Sequence, residues 1–350
     1  MKALKFSIIL ILLLTQSFGF LYASNEFTKK FHEEFQVDKS TILEIQNKFG
    51  DVNVNNWDKD LVSINITITV KESREEKAEK IFEKIKITLE KDNNTVKAIT
   101  EIIDKIKNTK FSIDYEIHTP AYIKLNLTNK FGNVFINEIT GKSNIIIKYG
   151  NLEANKIMGD NSKPLSTLTL GYCGKANINE YNWGKLFIKY SKINIEKSQA
   201  LIVISKYSKV GVENVSSIIS EAGYDTYRIG KIQNFVTVGK YTEFNIETLT
   251  NKLDAEIKYG NCKITEVPVD FKSIKIVAKY AAINIGINPG ASYQLDADIE
   301  YANINYPEGG RISKIKNNTE LKVSGTIGNK TSSKSTVVIE SKYGNVDLMY

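Results

Sequence analysis

Short segments of alternating hydrophobic and polar residues recur along most of the chain, each around an aromatic residue. Examples are "NKFGDVNV" around Phe49 and "IKYGNLEA" around Tyr149. Because side chains alternate between the two faces of a strand, each copy predicts two short strands around a bend. The aromatic residues of the twelve copies are Phe49, Phe131, Tyr149, Tyr172, Tyr190, Tyr207, Tyr224, Tyr241, Tyr259, Tyr280, Tyr301 and Tyr343.

The spacing of the copies is regular enough to indicate stacked repeats. From Phe131 to Tyr301 the steps are 18, 23, 18, 17, 17, 17, 18, 21 and 21 residues. A repeat of this length with strand-like alternation predicts an all-β parallel β-helix, or β-solenoid, of about 17–23-residue coils. The step of 42 residues to Tyr343 is about two coils, and a degenerate copy near Leu321 to Gly328 is one way to fill it, which the sequence leaves open.

Residues on either side of each aromatic suggest how a coil is built. Apolar or small residues stand two positions before it, and apolar residues return three and five positions after it, as in Ile147, Val210 and Val212. These positions, and the aromatic side chains as an internal ladder, are expected to fill the core. Glycines that follow the aromatic are expected to turn the corner by adopting positive φ; they are Gly50, Gly132, Gly150, Gly260 and Gly344.

The first residues have the pattern of a secretory signal peptide. Lys2 and Lys5 precede an apolar stretch from Phe6 to Leu14, and Ala23 follows at a cleavage point. We therefore expect residues 1–23 to be removed and the protein to be exported to the periplasm, the cell surface or the medium. An uncleaved anchor is the alternative. Nothing after residue 23 has the length of apolar sequence that a transmembrane segment needs.

Residues 24–120 interrupt the repeat. "LVSINITITV" alternates as a strand does, and "KESREEKAEKIFEKIK" places Ala78, Ile81, Phe82 and Ile85 at helical spacing, which predicts an amphipathic helix of about four turns. The first coil of a solenoid needs its open edge covered. We expect this N-terminal α+β segment to form that cap and to be continuous with the repeats of residues 121–350.

The order of these segments resembles a known family. A signal peptide, "NKFGDVNV", a strand, a charged helix, "DYEIHTPAYIKLNLTNKFGNVFI" and repeated strand–turn units are similar to the bacterial putative adhesin family, an exported domain of unknown function related to auto-transporter adhesin head domains. The resemblance implies a right-handed parallel β-helix, export and a role in adhesion. It implies no catalytic residue.

Charge narrows the range of partners. The chain has 47 lysines and arginines against 40 acidic residues, but only Arg74, Arg228 and Arg311 are arginines. Scarce arginine argues against a dedicated nucleic-acid site. Lysines that precede the aromatics form a stripe that would bind an acidic surface glycan, unless it is simply a solvated face that discourages aggregation. The candidate surface-binding residues are Lys148, Lys189, Lys206, Lys240, Lys258 and Lys279.

The acidic residues and histidines do not predict a catalytic or metal-binding site. Asp296, Asp298 and Glu300 share one strand face and suit calcium or paired acids, but Lys275 and Lys279 of the preceding coil would explain them by cross-strand pairing. With only His32 and His118 present, a zinc site or a Ser–His–Asp set is not expected. The sequence therefore predicts no catalytic residue, metal or cofactor.

Cysteines and tryptophans are interpreted structurally. Cys173 and Cys262 would lie five coils apart, about 24 Å, which is too far for a disulfide. Cys262 is expected in the core, and Cys173 at a bend where reagents would reach it. Trp57 and Trp183 are expected to pack, with sugar stacking as the alternative.

These observations favour a non-enzymatic exported β-solenoid that acts in adhesion, surface binding or envelope scaffolding. Its expected partner is a cell-surface glycan or an envelope protein. A polysaccharide lyase or hydrolase on the same scaffold is the alternative, since β-helices support both functions. A module that stacks end to end is a third hypothesis.

Overall fold

The computed structural model describes residues 25–159, 161–329 and 333–349. In these residues the chain forms 25 strands and one helix, joined in one mixed sheet that is parallel in its centre and antiparallel at its ends. The prediction of an all-β protein is confirmed. The predicted signal peptide, residues 1–23, lies outside the described residues.

The N-terminal segment forms an antiparallel layer and a hairpin beside the first copy of the repeat. Its elements are β1 (Asn25–Gln36), β2 (Ile42–Lys48), β3 (Val52–Asn56), β4 (Leu61–Glu72), α1 (Glu75–Phe82), β5 (Ile85–Asp92), β6 (Thr95–Ile102) and β7 (Lys110–Thr119). β4 pairs antiparallel with both β1 and β7, and β7 lies parallel to β3. β5 and β6 form an antiparallel hairpin whose β6 lies parallel to β2.

The helix is shorter than the sequence pattern predicts. It buries Ala78, Ile81 and Phe82, as expected, but ends at Phe82. Ile85, the fourth residue of the predicted apolar stripe, is buried as the first residue of β5 instead. Strand pairing in the β5–β6 hairpin therefore overrides the helical periodicity at this point.

The central strands stack copy on copy in parallel. They are β8 (Lys124–Lys130), β9 (Val134–Ile139), β10 (Ser143–Lys148), β11 (Leu152–Ile157), β12 (Thr167–Gly171), β13 (Ala176–Tyr181), β14 (Trp183–Lys189), β15 (Lys192–Lys206), β16 (Lys209–Gly223), β17 (Thr226–Lys240), β18 (Glu243–Val267) and β19 (Ser273–Ile287). The register equals the repeat spacing, so Ile147 pairs with Leu170 and Leu170 with Ile188. Equivalent residues of successive copies therefore lie side by side.

The C-terminal strands do not continue this order. They are β20 (Tyr293–Glu300), β21 (Ile304–Asn305), β22 (Arg311–Asn317), β23 (Glu320–Ile327), β24 (Thr336–Lys342) and β25 (Val346–Asp347). β24 lies between β19 and β20 and is parallel to both. β23 pairs antiparallel with β20 and β22, so residues 321–328 do not form the degenerate coil that the sequence left open.

The predicted inward positions are confirmed. Ile147, Val210 and Val212 are at most 1% exposed, as are most of their equivalents in other copies. Alternation of buried and exposed residues along each strand provides this core, with β-branched side chains as its main component. Both cysteines are free, in agreement with the prediction that they do not pair.

Candidate surface-binding site

The repeated aromatic residues lie on the outside of the molecule and form one continuous stack, called here the aromatic ladder. Neighbouring rings from Phe49 to Tyr301 have centroids 4.7–5.1 Å apart and planes within 19° of each other. Tyr149 is 47% exposed and Tyr301 52%. The expectation of an internal ladder is therefore wrong. The ring faces cover one another, and the ring edges meet solvent.

Backbone conformation explains why the rings point outward. Each ladder residue has φ between 50° and 65°, in the left-handed region that side chains other than glycine rarely adopt. This conformation interrupts the in–out alternation, so an aromatic that would otherwise face the core is turned to the surface. Its backbone N–H still donates to the adjacent copy, as Tyr149 does to the Gly171 carbonyl at 3.0 Å.

The glycines that follow the ladder serve close packing. None of Gly50, Gly132, Gly150, Gly260 and Gly344 has positive φ. A Cβ at Gly150 would lie 1.9 Å from the Gly132 carbonyl oxygen, and one at Gly132 equally close to that of Gly50. The expectation that these glycines supply the positive φ is thus wrong, because the aromatic residue supplies it and glycine allows successive corners to touch.

Of the seven copies without glycine, two have Ala281 and Ala302, and the other five form a second kind of corner at this position. Cys173, Ser191, Ser208, Asp225 and Thr242 occupy it, and all five are buried. The Ser208 N–H donates to Asp225 Oδ1 at 2.7 Å, and the Cys173 N–H donates to Ser191 Oγ at 3.0 Å. Side-chain oxygens therefore satisfy backbone donors of the adjacent corner. Cys173 is 1% exposed, so the expectation of an accessible thiol is wrong.

Asp225 is a carboxyl group buried within this row of corners. Ser205 Oγ donates to Asp225 Oδ2 at 2.8 Å, and the Gly223 N–H donates to the same oxygen at 2.7 Å. Ser205 Oγ also lies 2.7 Å from Tyr227 Oη. Burial raises the pKa of Asp225 more than these hydrogen bonds lower it.

The six candidate lysines lie in one row beside the aromatic ladder, called here the lysine row. The register places Lys148, Gly171, Lys189, Lys206, Gly223, Lys240, Lys258 and Lys279 side by side in that order. Lys258 pairs with Glu256 at 2.8 Å. The other five lysines form no ion pair with any residue that the structure describes. Equally charged neighbours in such a row favour the binding of an anion.

Some of the lysines also contact the ladder. The ammonium groups of Lys189, Lys206 and Lys279 lie 5.6, 5.2 and 5.5 Å from the ring centroids of Tyr190, Tyr207 and Tyr280. A cation at this distance interacts favourably with an aromatic ring. The lysine row and the aromatic ladder therefore form one surface, the lysine–aromatic edge.

A groove of about 700 Å³ runs along the lysine row from Tyr149 to Lys240. Its second wall consists of the outward residues two positions earlier in each strand, among them Phe187, Ile204 and Val238. Sequence reasoning missed this apolar wall. The unbroken apolar run from Leu201 to Ile204 could have revealed it, because alternation predicts polar residues at the outward positions.

Two of the three acidic residues of β20 are paired, but with partners other than those expected, and Asp296 has no ion pair among the described residues. Glu300 contacts Lys342 at 2.6 Å, and Asp298 contacts Lys322 at 3.4 Å. β24 separates them from Lys275 and Lys279, so the expected pairing with those lysines is wrong. The described residues contain no group of three or more His, Cys, Asp or Glu side chains arranged to hold a metal ion.

The remaining candidates have structural contacts. Trp57 Nε1 donates to the Leu61 carbonyl at 2.8 Å, and its ring lies 5.5 Å from that of His118. His32 Nδ1 is 2.8 Å from Asn65 Oδ1. Trp183 is half-buried. Burial raises the pKa of Cys262 to about 12, which keeps this thiol protonated.

Similarity to known proteins is found only in comparisons of structure. No protein-family model and no curated protein matches the chain. A putative adhesin of Parabacteroides distasonis is 11% identical, with a TM-score of 0.35 over 73% of this chain and 97% of that one. A putative adhesin of Parabacteroides merdae is 12% identical, with a TM-score of 0.36 over 73% and 95%.

A third solved structure is a putative adhesin of Bacteroides fragilis. It is 12% identical, with a TM-score of 0.29 over 92% of this chain and 97% of that one. Solved structures to which the chain is similar thus include proteins described as putative adhesins. Among the described residues, no helix is both long enough and apolar enough to span a membrane.

Proposed function

We propose that this protein is a non-enzymatic, exported binding protein of the adhesin type that attaches to anionic polymers of a cell surface through the lysine–aromatic edge. The observation that carries the proposal is the continuity of this edge. Its twelve stacked rings extend over roughly 50 Å at about 4.8 Å per step. Such a surface matches an extended acidic glycan better than a compact ligand.

We also propose that the chain has the architecture of a β-solenoid. Parallel pairing of successive copies, with a register equal to the repeat spacing, supports a β-solenoid. The right-handed twist of strands favours a right-handed path for parallel connections. A rigid rod of this kind would hold its lysines at fixed spacing. Export rests on the pattern of residues 1–23, which predicts a signal peptide.

Electrostatics supports an anionic partner. Five of the six candidate lysines lack an ion pair in the described parts of the chain, and they are presented beside ring edges that carry phenolic hydroxyl groups. Ammonium groups and hydroxyls both donate hydrogen bonds to carboxylate or phosphate oxygens. Binding by such a row depends on ionic strength, since salt screens exposed charges beyond about 10 Å at 0.1 M.

Charge reversal tests the proposal. Replacing Lys189, Lys240 and Lys279 together by glutamate should lower affinity for a soluble polyuronate at least about tenfold and reduce its dependence on salt. The matched control reverses Lys197, Lys231 and Lys263, which are exposed and line neither the groove nor the surface beside the ladder rings. Equal losses in both triple variants would show only a general effect of net charge and would contradict the proposal, as would no binding by the unmodified protein.

A further inference from the structure

Two glycines interrupt the lysine row where packing does not require them; Gly171 is buried beneath the Lys148 stem, and Gly223 is partly exposed. Neither Gly171 nor Gly223 has positive φ. A Cβ at Gly171 would meet only the Lys148 side chain, at 3.5 Å, and a Cβ at Gly223 only the Lys206 side chain, at 3.8 Å. Both glycines line the groove. Because these two positions of the lysine row hold glycine, two lysine side chains are missing from the wall of the groove.

The opposite wall is apolar although it faces solvent. Phe187 and Ile204 are adjacent in register and only partly exposed, and Val238 is 41% exposed. Ile202, Ile219 and Val236 extend the same outer face in neighbouring strands. A contiguous apolar surface of this kind on a solvent-facing sheet is typical of a binding site.

The two ends of the groove differ in charge. Lys148 and Lys189 flank Gly171, each about 4.8 Å away along the hydrogen-bonding direction. Their methylene stems are apolar, and their ammonium groups are free of ion pairs in the described residues. Glu221 lies between Ile204 and Val238 on the apolar wall. Lys206 and Lys240 flank Gly223 at the same end, and the Glu221 carboxylate offsets one of their two charges, so the end at Lys148 and Lys189 is the more positive.

We propose that the groove binds one acyl chain of a free anionic amphiphile, with the carboxylate or phosphate head between the ammonium groups of Lys148 and Lys189. The volume, about 700 Å³, lies within the range of small-molecule sites. Five steps from Tyr149 to Tyr241 give about 24 Å, and the acyl chain of one membrane leaflet is about 15 Å long. This inference rests on the proposed function only for its setting, an anionic cell surface.

Calorimetric titration with monomeric dodecyl phosphate tests the inference on the purified full chain. We expect saturable binding of one molecule, with dodecyl maltoside as the uncharged control bound at least about tenfold more weakly. Gly171→Leu should abolish binding by filling the groove, whereas Gly174→Leu, at an exposed glycine outside it, should not. Lys148→Glu should weaken binding about tenfold, and Lys231→Glu, at an exposed lysine outside the groove and the lysine row, less than about twofold.

The outcomes separate this inference from the proposed function. Equal binding by Gly171→Leu and the unmodified protein overturns it, as does equal binding of dodecyl phosphate and dodecyl maltoside. Recruitment to anionic vesicles without binding of the monomeric probe also overturns it, because the lysine–aromatic edge would then bind a charged surface without binding a separate acyl chain. Polyuronate binding, measured on the same variants, addresses the proposed function: its loss with groove binding intact would leave this inference standing.

Discussion

Tyr280 and Tyr343 stack face to face, with ring centroids 4.8 Å apart and planes at 4°, although the ladder residue Tyr301 lies between them in the sequence. Tyr301 stacks on the other face of Tyr343. The C-terminal copy is therefore inserted between two copies that precede it. Because β24 occupies this place, β19 and β20 do not pair with each other. Asp298 and Glu300 of β20 instead form ion pairs with Lys322 of β23 and Lys342 of β24.

Engineered disulfides would report this insertion. Val277 pairs in register with Glu340, and Glu340 with Asp298, all three at outward positions. Neighbouring strands are about 4.8 Å apart, and a disulfide needs Cα atoms within about 7 Å. We expect Val277→Cys with Glu340→Cys to cross-link on mild oxidation, as seen by mass spectrometry.

The control pair is Val277→Cys with Asp298→Cys. These positions are two strands apart, about 9.6 Å, and should stay reduced under the same conditions. Sequential winding of the copies predicts the opposite result for the two pairs. Cross-linking of the control pair alone would therefore show that the C-terminal strand is not inserted.

Tyr207 allows the backbone conformation of the ladder to be tested. Its φ is 54°, which costs an ordinary side chain about 1–2 kcal/mol, whereas glycine adopts it freely. Glycine loses about 0.5–1 kcal/mol through its greater freedom in the unfolded chain. Both Tyr207→Gly and Tyr207→Ala remove the stacked ring, so the glycine variant should be the more stable by about 0.5–1 kcal/mol.

Denaturant unfolding measures this difference. The same pair of substitutions at Lys209, an exposed position of β16 without positive φ, provides the control. There glycine should be the less stable variant, as in an ordinary strand. An identical order at both positions would mean that the positive φ at Tyr207 stores no strain.

Gly150 tests the role of glycine at the corners. A Cβ at this residue would overlap the Gly132 carbonyl, and both atoms belong to stacked backbone that has little room to move. We expect Gly150→Ala to lower the free energy of unfolding by about 3 kcal/mol or more. Gly171→Ala, whose Cβ would meet a flexible lysine stem, should change it by less than about 1 kcal/mol. Thermal unfolding of the two variants compares them directly.

Asp225 should make stability depend on pH with a sign opposite to that of most carboxylates. Burial raises its pKa in the folded state, so between the unfolded value of about 3.8 and the raised value the folded protein binds more protons than the unfolded chain. Stability from this group is fully present below the unfolded pKa. It is lost as pH rises through the folded pKa.

Comparison with Asp225→Asn isolates this contribution. Exposed carboxylates such as Asp38 and Asp104, whose pKa values are lowered by hydrogen bonds and by Lys84, act in the opposite direction in both proteins and cancel in the difference. Urea unfolding from pH 3 to pH 7 should show the unmodified protein losing stability relative to the variant as pH rises. A constant difference would mean that Asp225 titrates as it does in the unfolded chain.

The two cysteines should be unreactive until the protein unfolds. Cys173 and Cys262 are each 1% exposed, and burial raises the pKa of both thiols. Thiolate is the reactive species, so an aromatic disulfide reagent at pH 8 should label neither residue in the folded protein and both in guanidinium. Labelling of Cys173 alone in the folded state would restore the expectation of an accessible bend.

Local pattern predicted the strand content and the inward-facing residues correctly. The repeat spacing, the inward residues such as Ile147 and Val212, and the row of lysines follow from alternation, which each strand records in its own sequence. The orientation of the aromatic residues did not follow. Alternation places Tyr149 in the core, and a positive φ at that one residue, which sequence does not show, turns it outward. The groove was missed for a related reason, since its walls come from several strands.

The sequence by itself determined that the protein is all-β, that its copies recur at 17 to 23 residues and that their lysines share one position. These properties are encoded by the two-residue period of a strand and by repetition. Tertiary structure alone decided that the rings stack outside, that Gly150 is needed for contact with Gly132, and that the last copy lies between Tyr280 and Tyr301. Such features depend on which strands pair, and pairing is chosen by burial and hydrogen bonding across the whole chain.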